Sequence, residues 1–403
     1  MIRAAILGYG NIGGGVAEVI TKNQDQVAKA VGDSVEIKYV LDLREFPGDP
    51  MEKKVVHDID TIINDPEIKV IAETMGGDEP AYTFTKKALE AGKSVCTSNK
   101  ELVANHGPEL MRIAKEHDCN YFIEASVGGG IPIIRTLNEA LKQEHILNVT
   151  GIVNGTTNYI LTKMEKEGAA YADVLKQAQD LGYAERNPEA DVEGYDACRK
   201  IAILSSLMSG KNVDFKEVYT EGITKIGAED FLYAKKMGKT IKLLAMSKKE
   251  ENGYNVMVAP FYLGENHPLY PVNDVFNAVF VKGDMLDDSM YYGRGAGKLP
   301  TASAVVADMI QAAKNLGRNL PVEWSDEKET VLPVENTSRA FFVRLDINQV
   351  TPQQALDAFG GTLVEVEELS DEVGILTKVM TEKDCKAKCE ALKGVKGVIR
   401  VEA

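Results

Sequence analysis

The sequence predicts an α/β protein: a doubly wound parallel sheet first, a mixed α+β domain next and a small ferredoxin-like domain last. Three observations carry this reading. Short apolar strands alternate with helical stretches over the first third, a glycine-rich turn joins the first strand to the first helix, and the last segment reads β-α-β-β-α-β. At 403 residues the chain also exceeds the roughly 250–300 residues that one core sustains.

The first strand is the apolar run 4–7, ended by Gly8. Val35, Ile37, Tyr39 and Leu41 alternate with period two and mark the second. Segments 69–74, 94–97 and 121–124 supply three more strands, and helical patterns fall at 12–30, 58–64, 80–91 and 100–117. In the last of these Leu102, Val103, Leu110, Ile113 and Ala114 share an apolar face. Ligands of such sheets sit beyond the carboxyl ends of the strands, so the loops after each strand matter most. Residues 1–135 are expected as this first domain. Residues 136–300 form the mixed one, with helices at 170–181 and 193–209 and strands at 146–153, 254–263 and 275–282. A strong helical pattern at 301–317 lies in a segment, 301–320, that returns to the first domain. The charged, Pro-containing stretch that follows, to Thr337, reads as a linker. In 338–403 the order is strand 340–346, helix 352–359, strands 362–368 and 373–380, helix 382–393 and strand 397–402.

Acidic residues number 61 against 46 basic ones, a net charge of −15. Such a surface repels phosphate backbones, so nucleic acid is not an expected partner. No apolar run approaches the ~20 residues that span a bilayer, and no signal peptide is evident. The five cysteines, at 96, 119, 198, 385 and 389, include no Cys-x-x-Cys pair. Neither a disulfide framework nor a zinc site is suggested, and a reducing cytoplasm is the expected setting. No His-Glu-x-x-His occurs, so acid–base chemistry falls to Lys, Asp or Glu.

Gly8-Tyr9-Gly10-Asn11-Ile12-Gly13 has the G-x-G-x-x-G spacing in its proper context, after a strand and opening a helix. The first glycine allows the tight turn, the second lets backbone approach a pyrophosphate, and the third lets helix and strand pack closely. This predicts a Rossmann dinucleotide-binding domain. Asp42, at the end of the second strand, suits the ribose of NAD; Arg44, two residues on, suits the 2′-phosphate of NADP. The choice between them stays open. Lys100 starts a helix after the fourth strand, a position the helix dipole disfavours for a cation, and so gains weight as functional. Glu124-Ala-Ser-Val-Gly-Gly-Gly-Ile-Pro132 either exposes carbonyls to a cation or serves as a hinge. Asp196 and Lys200 are neighbours on one helix face. They form either an ordinary ion pair or, with Glu185 and Glu189 close by, a site for a substrate carrying an ammonium group.

Together these residues resemble the homoserine dehydrogenase family over 1 to about 318. The similarity runs through the block 151–164, Gly182-Tyr-Ala-Glu185, the block 191–200 and Tyr292-Gly-Arg-Gly-Ala-Gly297. The resemblance implies a monofunctional, cytoplasmic enzyme that interconverts L-homoserine and L-aspartate 4-semialdehyde with NAD or NADP, on the route to threonine, isoleucine and methionine. It implies Lys200 as proton donor, assisted by Lys100, and a substrate site of Glu185, Asp196, Gly182 and Asp191. Cofactor contacts are implied for Gly8, Gly10, Asn11, Ile12, Gly13, Asp42, Arg44, Gly76, Lys100 and Gly297. A monovalent cation, sodium, is implied at Glu124, Val127, Gly129 and Ile131. The C-terminal domain resembles an ACT domain, which makes an amino-acid effector such as threonine an expectation, and the family similarity implies a homodimer or homotetramer. Two readings compete: a catalytically silent nucleotide and amino-acid sensor, and another semialdehyde dehydrogenase of the same pathway. The second needs a cysteine nucleophile with a histidine, and neither Cys96 nor Cys198 has one nearby in sequence.

Overall fold

A computed structural model describes residues 1–402. It has two compact units, each assembled from separate stretches: Met1–His145, Ala202–Phe215 and Tyr291–Glu329 in the first, Ile146–Ile201, Lys216–Met290 and Thr330–Ala403 in the second. The chain is thus divided differently from the cuts at 135 and 300 read in sequence, and the C-terminal segment is not a third unit.

In the first unit, β1 (Ile2–Leu7), β2 (Val35–Leu41), β3 (Val55–Val56), β4 (Ile68–Glu73), β5 (Ser94–Thr97) and β6 (Tyr121–Phe122) form one sheet in the order β3-β2-β1-β4-β5-β6. Every pairing is parallel. A parallel sheet is covered on both faces, which is why β1 and β4 read as continuous apolar runs rather than alternating ones. The order reverses between β1 and β4, the switch point at which such sheets bind ligands. Ala4, Ile6, Val16, Ile20, Val70, Ala72, Val305 and Met309 share the core on one face. The expected helix 12–30 is two helices, Asn11–Lys22 and Gln24–Val31, broken at Asn23. Asparagine competes with helix by bonding locally to backbone. The helix Lys298–Lys314 lies against Asn11–Lys22, and a Cβ at Gly15 would stand 2.9 Å from both Ala302 and Lys298.

In the second unit the strands are β7 (Ile146–Ile152), β8 (Tyr219–Thr220), β9 (Lys239–Glu250), β10 (Gly253–Gly264), β11 (Phe276–Gly283), β12 (Asp288–Arg294), β13 (Ser338–Asp346), β14 (Thr362–Val364), β15 (Glu372–Leu376), β16 (Met380–Thr381) and β17 (Val395–Glu402). The main path runs β12-β11-β7-β9-β10-β17-β13-β15-β14. Numbered within their own β-α-β-β-α-β segment, the last four strands on this path have the ferredoxin-like order 4-1-3-2. They are not a detached module. β17 pairs in parallel with β10, Phe261 opposite Arg400, so one sheet continues into the C-terminal segment. Two buried arginines fasten the joint. Arg344 donates to Asp230 at 2.9 Å and to Glu372 at 2.9 Å; Arg400 donates to Glu221 at 2.6 Å and to Glu382 at 2.7 Å.

The stretch expected as a linker is laid onto the fold. In the first unit Trp324 is buried, its indole occupying the space left by the absent side chain of Gly107. In the second, the Tyr254 N–H donates to the Thr330 carbonyl and the Tyr254 carbonyl accepts from the Leu332 N–H, which makes a parallel bridge between Tyr254 and Val331. The buried Trp324 and backbone hydrogen bonds to Gly210, Asn212 and Tyr254 hold it down. Among the described residues no helix is long and apolar enough to cross a membrane.

Strand β9 had no counterpart in the sequence reading, because Lys242 interrupts its apolar run. Lys242 is fully buried and donates to the Val272 carbonyl at 2.6 Å and Asn273 Oδ1 at 2.9 Å. Burial pushes its pKa down to about 8. A lysine with a folded pKa below its unfolded value opposes folding in full below about pH 8, and that opposition fades as pH rises towards the unfolded value near 10.4. The melting temperature of the wild type relative to Lys242→Met is therefore expected to rise between about pH 8 and pH 10. A difference that stays constant with pH across that window would contradict the assignment.

Candidate active site

Gly8 follows β1 with φ +84°, and a Cβ there would meet Met75 at 2.8 Å. A Cβ at Gly13 would stand 2.1 Å from the Gly8 carbonyl oxygen. Gly10 differs: its φ is −85° and nothing lies within 4 Å of the Cβ position. Two glycines of the turn are thus demanded by the protein itself, while the third leaves open space beside a helix end. Gly10 caps the helix Asn11–Lys22 without any side-chain bond, so its first N–H groups, from Asn11, Ile12 and Gly13, face outward for an anion.

Asp42 and Arg44, read as alternatives, are partners. Asp42 Oδ1 receives Arg44 Nε at 2.9 Å and Oδ2 receives Arg44 Nη2 at 2.9 Å, while the Tyr9 N–H adds a bond to Oδ2 at 2.8 Å. The Arg44 guanidinium holds the Asp42 carboxyl well below its usual range. The arginine side chain stays 63% exposed and lies over the Phe46 ring.

At the ends of β4 and β5 a residue that sequence reasoning missed organises the loops. Glu73 is fully buried; it accepts from the Met75 N–H at 2.8 Å and from the Thr97 hydroxyl. Burial raises its pKa. Thr97 Oγ1 in turn accepts from the Asn99 N–H at 2.9 Å, and Asn99 Nδ2 donates to the Gly77 carbonyl at 2.6 Å. Asn99 also caps the helix Lys100–Glu116. One carboxylate therefore sets both the Gly76 loop and the start of the Lys100 helix. The available signal was an acid closing an otherwise apolar strand.

After β6, both carboxylate oxygens of Glu124 are taken by backbone: Oε1 by the Ile134 N–H at 2.9 Å, Oε2 by the Arg135 N–H at 2.7 Å. Asp308, also unforeseen, accepts from the Glu124 N–H at 2.9 Å and from Arg135 Nη2 at 2.7 Å. Burial, with Glu124 beside it, pushes Asp308 up to about 7. Val127, Gly129 and Ile131 follow on the same strap, and Gly297 caps the helix that carries Asp308.

Asp196 and Lys200 stand one turn apart on the part of the helix Tyr195–Ser209 that belongs to the second unit. Lys200 is 8% exposed and Asp196 4%. Lys200 Nζ donates to Asp196 Oδ2 at 2.7 Å and to the Val153 carbonyl at 2.8 Å. Asn154 completes the cluster: its Nδ2 donates to Asp196 at 2.9 Å and to Asp191 at 2.7 Å. Its Oδ1 accepts from the Thr157 N–H and hydroxyl, which starts the helix Gly155–Glu167. Two donors and two lone pairs are all used. Asn154 lies within the block 151–164, but nothing in its spacing marks it as a residue of the site. Gly182 and Glu185 lie on the exposed loop after the helix Tyr171–Asp180. That loop is tied down by Thr156 Oγ1 on the Tyr183 carbonyl at 2.6 Å and by Gln179 on the Glu185 carbonyl at 3.0 Å.

A glycine turn at the switch point of a parallel sheet, with a buried lysine and its carboxylates on a second unit, is the build of an NAD(P)-dependent dehydrogenase. Comparison with known proteins makes this specific. The homoserine dehydrogenase family model matches residues 132–310, and that for the homoserine dehydrogenase NAD binding domain matches 8–124. The homoserine dehydrogenase of Bacillus subtilis is 45% identical over 318 residues, covering 78% of this chain and 73% of that one. A homoserine dehydrogenase crystal structure from Thiobacillus denitrificans superposes with a TM-score of 0.89 at 35% identity, covering 100% of this chain and 98% of that one. A hyperthermophilic archaeal homoserine dehydrogenase in complex with NADPH gives a TM-score of 0.67 at 28% identity, covering 78% of this chain and 99% of that one. The chain belongs to the homoserine dehydrogenase family. It is an NAD(P)-dependent oxidoreductase acting between L-homoserine and L-aspartate 4-semialdehyde.

The glycine turn yields a direct test. Gly10→Ala is expected to keep the wild-type melting temperature, since the added methyl meets no protein atom, and to weaken dinucleotide affinity by at least about tenfold. Unchanged affinity by calorimetric titration would show that no ligand approaches this backbone.

Proposed function

We propose that Lys200 delivers the proton in homoserine dehydrogenase chemistry, and the observation that carries this is its hydrogen bonding. A lysine ammonium has three N–H donors, and two are spent on Asp196 and Val153. The third is left for the substrate oxygen. When bound, the nicotinamide exchanges a hydride with the carbon that is aldehyde in one substrate and alcohol in the other. Lys200 then stabilises the developing alkoxide by its charge and protonates it, and takes the proton back in the reverse direction. Lys100 assists the same step. Glu185, Asp191 and Asp196 supply the negative charge that receives the substrate's ammonium group, with Gly182 beside them. Asn154 holds Asp191 and Asp196 in place. The competing route through a cysteine nucleophile finds no support at Cys96, where burial pushes the thiol pKa up.

Gly8, Gly10, Asn11, Ile12, Gly13, Gly76 and Gly297 are assigned to the cofactor. Both Asp42 oxygens are committed to Arg44 and Tyr9, which favours Arg44 as the recognition element and NADP as the preferred cofactor. A monovalent cation, sodium, fits the strap of Glu124, Val127, Gly129 and Ile131 through backbone carbonyls, since the Glu124 carboxylate is already bonded. Two buried acids share one arginine there, and a nearby cation would favour their ionised forms, which burial disfavours. A homodimer or homotetramer, a cytoplasmic setting, and L-threonine as an effector acting through the ACT-like C-terminal segment complete the reading.

Reduced nicotinamide should accumulate with homoserine, followed by its absorbance with NADP and NAD in parallel. Lys200→Ala is expected to lower kcat at least about a hundredfold while leaving dinucleotide affinity unchanged; near-normal turnover would remove Lys200 from its role. Arg44→Gln should lower the NADP-to-NAD ratio of kcat/KM by about tenfold or more. A ratio that does not move would place cofactor selection elsewhere.

A further inference from the structure

Five acidic side chains are buried among the described residues: Glu73, Glu124, Asp196, Asp230 and Asp308. Four have a cation beside them. Lys200 bonds Asp196, Arg344 bonds Asp230, Arg135 bonds Asp308, and the same Arg135 lies next to Glu124. Glu73 is the exception. It is wholly enclosed, and its partners are neutral: the Met75 N–H at 2.8 Å and the Thr97 hydroxyl, with the Gly76 N–H and the Asn99 carboxamide beside them. Neutral donors solvate a carboxylate but do not cancel its charge, so a buried ion of this kind stays costly until a positive group comes near.

The place of Glu73 in the sheet says which group that is. It ends β4, and β4 and β2 lie on opposite sides of β1. The glycine turn after β1 is assigned to the pyrophosphate, and Arg44, just beyond β2, to the adenosine end. A dinucleotide laid across the switch point therefore extends its other half, the nicotinamide, beyond the ends of β4 and β5. That half changes charge in the reaction: the ring is cationic when oxidised and neutral when reduced. A fixed negative charge on that side attracts the one and not the other. We infer that Glu73 discriminates between the two redox states of the cofactor, its carboxylate favouring the bound oxidised dinucleotide over the reduced one. This rests on the cofactor assignment above and adds to the loop-setting role of Glu73 a role for its charge. Lys100, on the helix that starts beyond β5, is unchanged when only Glu73 is replaced, so the comparison isolates the carboxylate.

The test is calorimetric titration of the full chain with NADP⁺ and with NADPH, on the wild type, Glu73→Gln and Thr97→Val. Glu73→Gln removes the charge and keeps the shape. Thr97→Val removes a bond to the carboxylate, loosening the same loops, and keeps the charge. In Glu73→Gln the dissociation constant for NADP⁺ should rise at least about tenfold more than that for NADPH. In Thr97→Val the two constants should rise together, with their ratio as in the wild type. Glu73→Met repeats the neutralisation without an amide, and the same change of ratio is expected there, so the reading does not hang on one variant. A ratio that stays at the wild-type value in the neutral variants, both forms still binding, overturns the inference and leaves the cofactor assignment standing. An equal change of ratio in Thr97→Val overturns it too, because loop geometry and not charge would then set the preference. A wild type that binds neither form removes the cofactor assignment itself, and the inference with it.

Discussion

A charge taken out of water has to be met by partners, and the Lys200 cluster is built around that requirement. Removing a lysine and an aspartate from solvent costs several kcal/mol for each ion, and their attraction offsets this only when the remaining polar atoms are bonded as well. Asn154 makes the difference. It donates to both Asp191 and Asp196 and accepts from Thr157, so two carboxylates that would repel are held in one place by a neutral group. Because the same residue caps the helix Gly155–Glu167, the position of the charges is set by backbone geometry and not by flexible side chains. Among the described residues two of the lysine's three N–H donors are bonded in this way.

The same constraint recurs wherever an ionisable group lies deep in either unit. Glu73 is surrounded by backbone and hydroxyl donors, Glu124 by two peptide N–H groups, Arg344 and Arg400 each by two carboxylates. For Glu73 with Thr97, and for Arg344 and Arg400, the bonding joins segments far apart in sequence. Buried charge thus acts as a fastener whose value is specificity: an apolar contact tolerates sliding, whereas a bidentate arginine fixes register. The two glycine-loop neighbours Asp42 and Arg44 follow the same logic nearer the surface.

Much of this was legible in the sequence, and the gaps have physical causes. The first sheet could be read because apolar runs and helical periods alternate cleanly there, and the glycine turn because its spacing and context are both restrictive. The C-terminal β-α-β-β-α-β order was equally plain. Strand β9 was hidden because a buried lysine looks like a surface one until its acceptors, Val272 and Asn273, are in place. The break at Asn23 was hidden because both flanks keep helical periodicity. Asp42 and Arg44 looked like alternatives because spacing along the chain does not reveal that they bond to each other. Asn154, Glu73 and Asp308 escaped for a shared reason: each acts through partners distant in sequence, Asp191 and Asp196, Thr97, and Arg135.

The joining of the C-terminal segment to the main sheet has a consequence for regulation. A ferredoxin-like module tethered by a loose linker could respond to a ligand only by docking or undocking. Here β17 is an internal strand, bonded on one side to β10 and on the other to β13. The free edge of that part of the sheet is β14, only three residues long, a length that discourages pairing with another chain. Strands in a closely packed sheet shift as a group, because packing at interior density does not deform continuously. A displacement of β17 would therefore act on β13 and on the Phe261 end of β10 at once. Continuity of hydrogen bonding, more than any single contact, is what ties the end of the chain to β10 and, through it, to β9.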